Sequence, residues 1–310
     1  MQSERLISNL AEEVLSNVAP LVNADYWLCE VPHYHNVGDI LIWQGELDFL
    51  KRLPYKCKGM SSLDSMKMPP IADGDLVLFQ GGGNFGDLWD GPHAYRRRIM
   101  ESNPNCRFVV FPQTVWYDSA EKLREDAEFY AKHDCTICVR DSVSYSLLEK
   151  NFRNKILLVP DMAFCINMSK WRQCYSAVRP LVLKRPDKEL NITAALESVI
   201  ESVDADVCDW PTMDNYTLVE RVRDAIRCRP RKLGFLYEPY MYYVYRPYMI
   251  RSGVRFINSH TDIYTTRLHA CILSILLGKE RIVFFDNSYG KNRNFYDTWL
   301  KGCDSVEMMT

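Results

Sequence analysis

Three short segments combine glycine, amide, imidazole and guanidinium groups at spacings suited to holding an anion. Thr265-Thr266-Arg267-Leu268-His269-Ala270 stands directly ahead of the apolar run CILSILLG. The run predicts a helix from about Thr266 to Leu277, which places Arg267 and His269 in its first turn. Free N–H groups and the helix dipole favour negative charge there. An arginine at that position binds carboxylate or phosphate in two-point fashion, and a histidine two residues on can supply a proton near neutral pH. A surface arginine beside a buried, hydrogen-bonded histidine is the structural alternative.

The second segment, Gln80-Gly81-Gly82-Gly83-Asn84-Phe85-Gly86-Asp87-Leu88-Trp89, follows the apolar run DLVLF. Gly81, Gly82 and Gly83 free the backbone to approach a ligand and present N–H groups to it. Close strand packing would need glycine as well. The segment is neither a Walker loop, since no Lys-Ser or Lys-Thr follows, nor the GxGxxG dinucleotide fingerprint. The third segment, His33-Tyr34-His35-Asn36-Val37-Gly38-Asp39, opens the run ILIWQGELDFLKRL. Asn36 or Asp39 can cap that helix, and Gly38 allows a tight turn.

Cys135 and Cys138 form a CxxC, but Thr136, Ile137 and Val139 make it a strand whose alternation points the two thiols to opposite faces. With no second CxxC, and with six scattered histidines, no metal site is expected.

The elements that must position these groups alternate. Strands are predicted at Tyr26 to Val31, Leu76 to Gln80, Phe108 to Phe111, Thr136 to Val139 and Ile156 to Val159. Helical stretches fall between them at Asp39 to Arg52, Tyr95 to Asn103, Ser119 to His133 and Ser142 to Asn151. The pattern pauses at Cys165 to Arg179. It resumes with strands at Pro180 to Lys184, Ala205 to Cys208, Lys232 to Leu236, Val254 to Ile257 and Arg281 to Phe285, and with a helix at Asn215 to Arg227. Such alternation predicts an α/β protein of two doubly wound, Rossmann-like domains facing a cleft, residues 1–170 and 171–310. The last helix is free to pack back on the first domain. Ligands of such domains bind at the carboxyl ends of the strands.

With 310 residues, 47% hydrophobic and 25% charged, the chain reads as a globular protein able to bury a large core without disulfides or metal. A net charge of -2 argues against a nucleic-acid partner. No signal peptide or apolar run near the ~20 residues of a membrane span is visible, so the expected location is cytoplasmic. The 11 cysteines fit reduced thiols.

Taken together, NVGD (Asn36 to Asp39), LFQGGGNFGDLW (Leu78 to Trp89), VVFPQTV (Val109 to Val115), VRDSVS (Val139 to Ser144), VPDMAF (Val159 to Phe164), TTRLHA (Thr265 to Ala270) and FFDNSYGKNRNFYDTW (Phe284 to Trp299) resemble the polysaccharide pyruvyl transferase family. The resemblance implies a two-domain arrangement like that of B-type glycosyltransferases, with phosphoenolpyruvate as donor and no cofactor. It implies donor contacts from Arg267 and His269 of the RLH segment, from Arg140 and from Lys291, with Arg185 as a further cation. His269 and Arg267 would be the catalytic pair. Asn36, Asp39, Asn84 and Asp87 would face the sugar acceptor, free or lipid-linked, and Trp89 or Trp116 could stack on it. A lipid-linked acceptor would bring the protein to the inner face of the membrane. Many relatives place an acid just before RLH, where this chain has Thr266. Two readings compete with pyruvyl transfer: a nucleotide-sugar glycosyltransferase on the same scaffold, and a non-catalytic relative acting in polysaccharide assembly.

Overall fold

The computed structural model describes residues 2–65, 68–172, 175–214 and 216–309. The chain divides into two compact units. The first comprises Leu10–His33 and Ile42–Ile166; the second comprises Met1–Asn9, Tyr34–Leu41 and Asn167–Thr310.

The first unit holds β1 (Tyr26–Cys29), β2 (Cys57–Ser61), β3 (Leu76–Phe79), β4 (Gly82–Gly86), β5 (Arg107–Trp116), β6 (Asp134–Val139) and β7 (Lys155–Leu158). All pairings are parallel, in the order β2-β1-β3-β5-β6-β7, and β4 adds to the far half of β5. Every residue of β3, LVLF, is buried, as a parallel strand covered on both faces requires. Gly86 has φ +108, and a β-carbon there would stand 1.8 Å from the carbonyl oxygen of Trp116, so glycine is what lets β4 close on β5. Phe79, Phe85, Phe108 and Tyr130 lie in the core beneath.

The second unit holds β8 (Arg179–Leu183), β9 (Asp206–Cys208), β10 (His260–Thr265), β11 (Ile282–Phe285) and β12 (Val306–Met309). These are also parallel, in the order β12-β11-β10-β8-β9. In each sheet the chain winds outward in both directions, from β1 and β3 in the first and from β8 and β10 in the second. Both units are therefore doubly wound and Rossmann-like, with topological switch points between those strand pairs.

Two predicted strands are helical. Val254 to Ile257 lies inside the helix Arg246–Asn258, whose buried positions Met249, Ile250, Gly253, Val254 and Ile257 follow the three-four spacing of a helix. The four-residue window VRFI is too short to show that period. Lys232 to Leu236 crosses a short helix, Pro230–Leu233, and a 3-10 turn, Gly234–Leu236; Pro230 at the first helical position starts it. β10, with the polar sequence HTDIYT, was not expected as a strand, yet it is the centre of its sheet. Asn215, the predicted start of one helix, and residues 173–174 of the predicted pause lie outside the described residues.

Candidate functional site

At the switch point of the second sheet, β8 and β10 end side by side and their loops are laced together. The Thr266 N–H donates to the Leu183 carbonyl at 3.2 Å. The Thr265 hydroxyl donates to the same carbonyl at 3.2 Å and accepts from the Arg267 N–H at 3.0 Å. The Thr266 hydroxyl accepts from the Arg185 N–H at 3.1 Å. Thr266 is thus a buried brace between the two strand ends.

Arg267 is the N-cap residue of the helix Leu268–Leu277. Its Nε and Nη2 donate to the two carboxylate oxygens of Asp209, the residue after β9. This fork-on-fork pairing fixes the guanidinium plane. Asp209 escaped the sequence reading; its one signal is its place directly after a strand.

Arg185 is anchored on both sides. Its Nε and Nη2 donate to Asp187 at 2.6 and 2.9 Å, and its Nη1 donates to Glu189 Oε2 at 2.6 Å. Glu189 Oε2 also accepts from Lys291 Nζ at 3.4 Å and the Tyr289 hydroxyl at 3.0 Å. Burial pushes the Glu189 carboxyl up, but the charges of Lys291 and Arg185 and the bonds from Arg185 and Tyr289 outweigh it and hold it down at about 2. Asp187 is likewise lowered: burial opposes, and Arg185 with the more distant charge of Arg267 prevails. The Asn292 side chain clamps the segment after β11 onto this loop, donating to the carbonyls of Thr266 and Phe285 at 2.9 and 2.8 Å. Arg185, Arg267 and Lys291, which follow β8, β10 and β11, therefore stand at the carboxyl end of one sheet with three carboxylates that hold them in place.

His269 lies in the first helical turn, and its ring packs on the backbone of Gly38. Asn36 shapes that approach: its Oδ1 accepts from the Gly38 N–H at 2.9 Å and its Nδ2 donates to Asp39 Oδ2 at 2.8 Å. Asn36 and Asp39 thus cap and order the start of the helix Val37–Leu50 and are brought to the His269 side of the same unit.

The remaining candidates belong to the first unit. Arg140 follows β6, is fully buried, and donates to Thr114 Oγ1 at 3.0 Å and Asp161 Oδ2 at 2.5 Å. The glycine segment is not an open turn: Gly82 begins β4, and Gly83 lies within it. The Gly81 N–H donates to Glu46 Oε1 at 2.8 Å, and the Asn84 N–H donates to Gln113 Oε1 at 3.0 Å. Glu46 is fully buried and its Oε2 has no partner. Burial pushes this carboxyl well up, the Gly81 bond opposes, and the nearby Asp161 and Glu30 carboxylates add to the rise. Asp87 accepts from the N–H groups of Asp118 and Ser119 at 2.9 and 3.0 Å, tying its loop to the next. Trp89 and Trp116 are half-buried. Glu30, at the end of β1, sits at φ 69 and accepts a forked bond from buried Arg96, a strained position beside the first switch point. Cys135 and Cys138 both lie on β6 and are buried, and burial pushes both thiols up.

Comparison with known proteins matches the chain to one family. The sequence profile described as "Polysaccharide pyruvyl transferase" matches residues 36–289. The chain is 32% identical over 308 residues to "Putative pyruvyl transferase EpsO" of Bacillus subtilis (strain 168), covering 96% of this chain and 90% of that one. It is 28% identical to "Pyruvyl transferase 1" of Schizosaccharomyces pombe (strain 972 / ATCC 24843), covering 88% and 69%. A crystal structure of an uncharacterized protein of Klebsiella pneumoniae subsp. pneumoniae NTUH-K2044 shares the fold, with a TM-score of 0.63 at 18% identity over 97% of this chain and 99% of that one. By profile and by full-length similarity, the chain belongs to the polysaccharide pyruvyl transferase family.

Proposed function

We propose that the protein transfers pyruvate from phosphoenolpyruvate to a sugar of a polysaccharide or its lipid-linked precursor, forming a ketal and releasing phosphate. The observation that carries this reading is the placement of Arg185, Arg267 and Lys291 at the carboxyl end of one sheet, beside a helix N-terminus that bears His269. Phosphoenolpyruvate packs a carboxylate and a phosphate onto three carbons, and several oriented cations suit it. Asp209 takes the place of an acid at position 266 by holding the Arg267 fork. In the first unit, Arg140 stays in the donor set on the family likeness of its VRDSVS segment.

The reaction needs a proton on the methylene carbon, which turns it into the methyl group and leaves positive charge on the neighbouring carbon. One sugar hydroxyl adds there and loses its proton. The carbon–oxygen bond to phosphate then breaks, phosphate departs with the bonding pair, and the second hydroxyl adds and loses its proton. The two hydroxyl protons account for the methyl group and for the protonated phosphate. We assign His269 to deliver a proton, to the methylene carbon or to the departing phosphate. Asn36 and Asp39, on the His269 side of the second unit, and Asn84 and Asp87 of the first unit supply acceptor contacts.

Incubating the protein with phosphoenolpyruvate and a panel of pyranosides, with phosphate release and product mass as readouts, tests the reading. Phosphate release that depends on acceptor and His269 is expected. Release of nucleotide from a UDP-sugar, with none of phosphate from phosphoenolpyruvate, would overturn it.

A further inference from the structure

One part of the second unit is a run of short helices after β9, tied to the loop before the helix Val37–Leu50 by the bonds of Glu220 and Arg223 to His35. It comprises the helices Leu218–Arg227, Pro230–Leu233 and Tyr237–Tyr240, the 3-10 turn Gly234–Leu236 and the π turn Met241–Tyr245. The first helix packs on each of the others, so they form one contiguous knob. Its inside is well built: Glu220, Arg223, Ile226, Tyr237, Met241 and Tyr245 are buried, and Arg223 Nη1 donates to the Tyr245 hydroxyl at 3.0 Å. The Tyr240 hydroxyl donates to the Val219 carbonyl at 2.7 Å.

The outside is apolar where solubility alone would make it polar. Leu218, Phe235 and Tyr243 are 74%, 75% and 73% exposed, and Val222, Leu236 and Val244 are exposed beside them in sequence. Leu218 and Val222 stand one helical turn apart, so they share a face, opposite to the buried Glu220 and Arg223. Concentration of large exposed apolar groups in one knob marks an interaction surface.

Charge identifies the partner. From Leu218 to Tyr245 the sequence has six cationic residues against three carboxylates, in a chain whose net charge is -2, and Glu220 is buried. Arg221, Arg227, Arg229 and Lys232 are exposed, while Asp224 is drawn into bonds from Arg223 and Tyr216. Exposed cations interleaved with aliphatic and aromatic side chains on short helices match the interfacial zone of an anionic bilayer, where headgroups meet the cations and the acyl boundary receives the apolar groups. Phe235 and Tyr243 suit a base or a bilayer interface alike, whereas exposed Leu218, Val222, Leu236 and Val244 offer no stacking to a nucleic acid, which favours lipid.

We propose that the knob spanning Leu218 to Tyr245 is a membrane-surface site that binds anionic phospholipid bilayers, with Phe235 and Tyr243 entering the interface. The inference does not depend on the reaction, because binding to lipid needs no turnover. It would bring the protein to the surface where a lipid-linked acceptor resides.

Flotation of the full chain with vesicles of phosphatidylcholine alone, and of phosphatidylcholine with phosphatidylglycerol, tests it. Binding at least ~10-fold stronger to the anionic vesicles is expected, weakening at high salt. Phe235→Ser with Tyr243→Ser should reduce that binding ~10-fold, as should Arg227→Gln with Arg229→Gln. Circular dichroism reports whether each variant is folded; if a pair is not, Leu236→Ser and Lys232→Gln replace it. Equal or absent binding to both vesicles overturns the proposal. So does vesicle binding that persists in all variants, a dimer dissolved by the apolar variants without any vesicle binding, or binding to an oligonucleotide but not to vesicles.

Discussion

Gly38 lies against the imidazole of His269 so closely that a β-carbon at position 38 would stand 2.7 Å from Nδ1. The contact joins two motifs 231 positions apart in sequence, NVGD and RLHA, within one unit. It gives Gly38 a role beyond turning the chain: its missing side chain is the space the ring occupies. Gly38→Ala should displace the ring and lower kcat by about 10- to 100-fold, with little change in the KM for phosphoenolpyruvate. Steady-state kinetics on folded variant protein checks this, and an unchanged kcat would remove the contact from the positioning of His269.

Arg267 and Asp209 act as one device, since the carboxylate fixes the plane of the guanidinium. Asp209→Asn and Arg267→Lys should each raise the KM for phosphoenolpyruvate about 10-fold, because each breaks the two-point pairing. The double variant should be little worse than either single one, as expected of coupled partners. Additive losses would mean that Asp209 works independently of Arg267.

Glu189 is held at about 2, below its usual range, by Lys291 and Arg185 despite its burial. A lowered carboxyl pKa contributes stability that is fully present above the unfolded value and is lost as pH falls through the folded one. The shift from 4.5 to about 2 corresponds to about 3 kcal/mol at most, fading between those two pH values. Glu189→Gln should therefore be less stable than the parent at pH 7, and the gap should narrow below pH 4.5. Urea midpoints measured across that range decide; a gap independent of pH would contradict the pairing.

Glu46 shows the opposite sign. Burial, with Asp161 and Glu30 nearby, raises its pKa well above the normal value of 4.5. The unfolded chain ionises first, so this group costs stability increasingly as pH rises above 4.5. Glu46→Gln keeps an acceptor for the Gly81 N–H and cannot ionise. Its stability should match the parent near pH 4.5 and exceed it at pH 8, by up to ~1 kcal/mol per pH unit until the folded pKa is reached. Thermal melts at the two pH values test this, and a variant less stable at pH 8 would show that Glu46 is ionised in the fold.

The alternation of apolar strands and amphipathic helices made the α/β class legible in sequence, because strand and helix periods are local properties. The capping role of Asn36, the helix after Thr266 and the burial of β3 and β11 follow from a few adjacent residues. The failures share a cause as well. Val254 to Ile257, VRFI, has β-branched residues at both ends, but the buried positions Met249 and Ile250 before it make the stretch helical. β10 is polar in sequence, and only its two neighbouring strands make it central.

For the site, the TTRLHA segment named Arg267 and His269, and the family resemblance added Lys291 and Arg185, all without their carboxylate partners. Asp209, Glu189 and Asp187 became visible only in the fold, since an ion pair depends on distance in space. Tertiary structure also decided what Thr266 and Gly81 do. The threonine hydroxyl braces β8 to β10, and the glycine N–H is already spent on Glu46. A residue's type limits which bonds it can make; the packing of distant strand ends determines which of those bonds form.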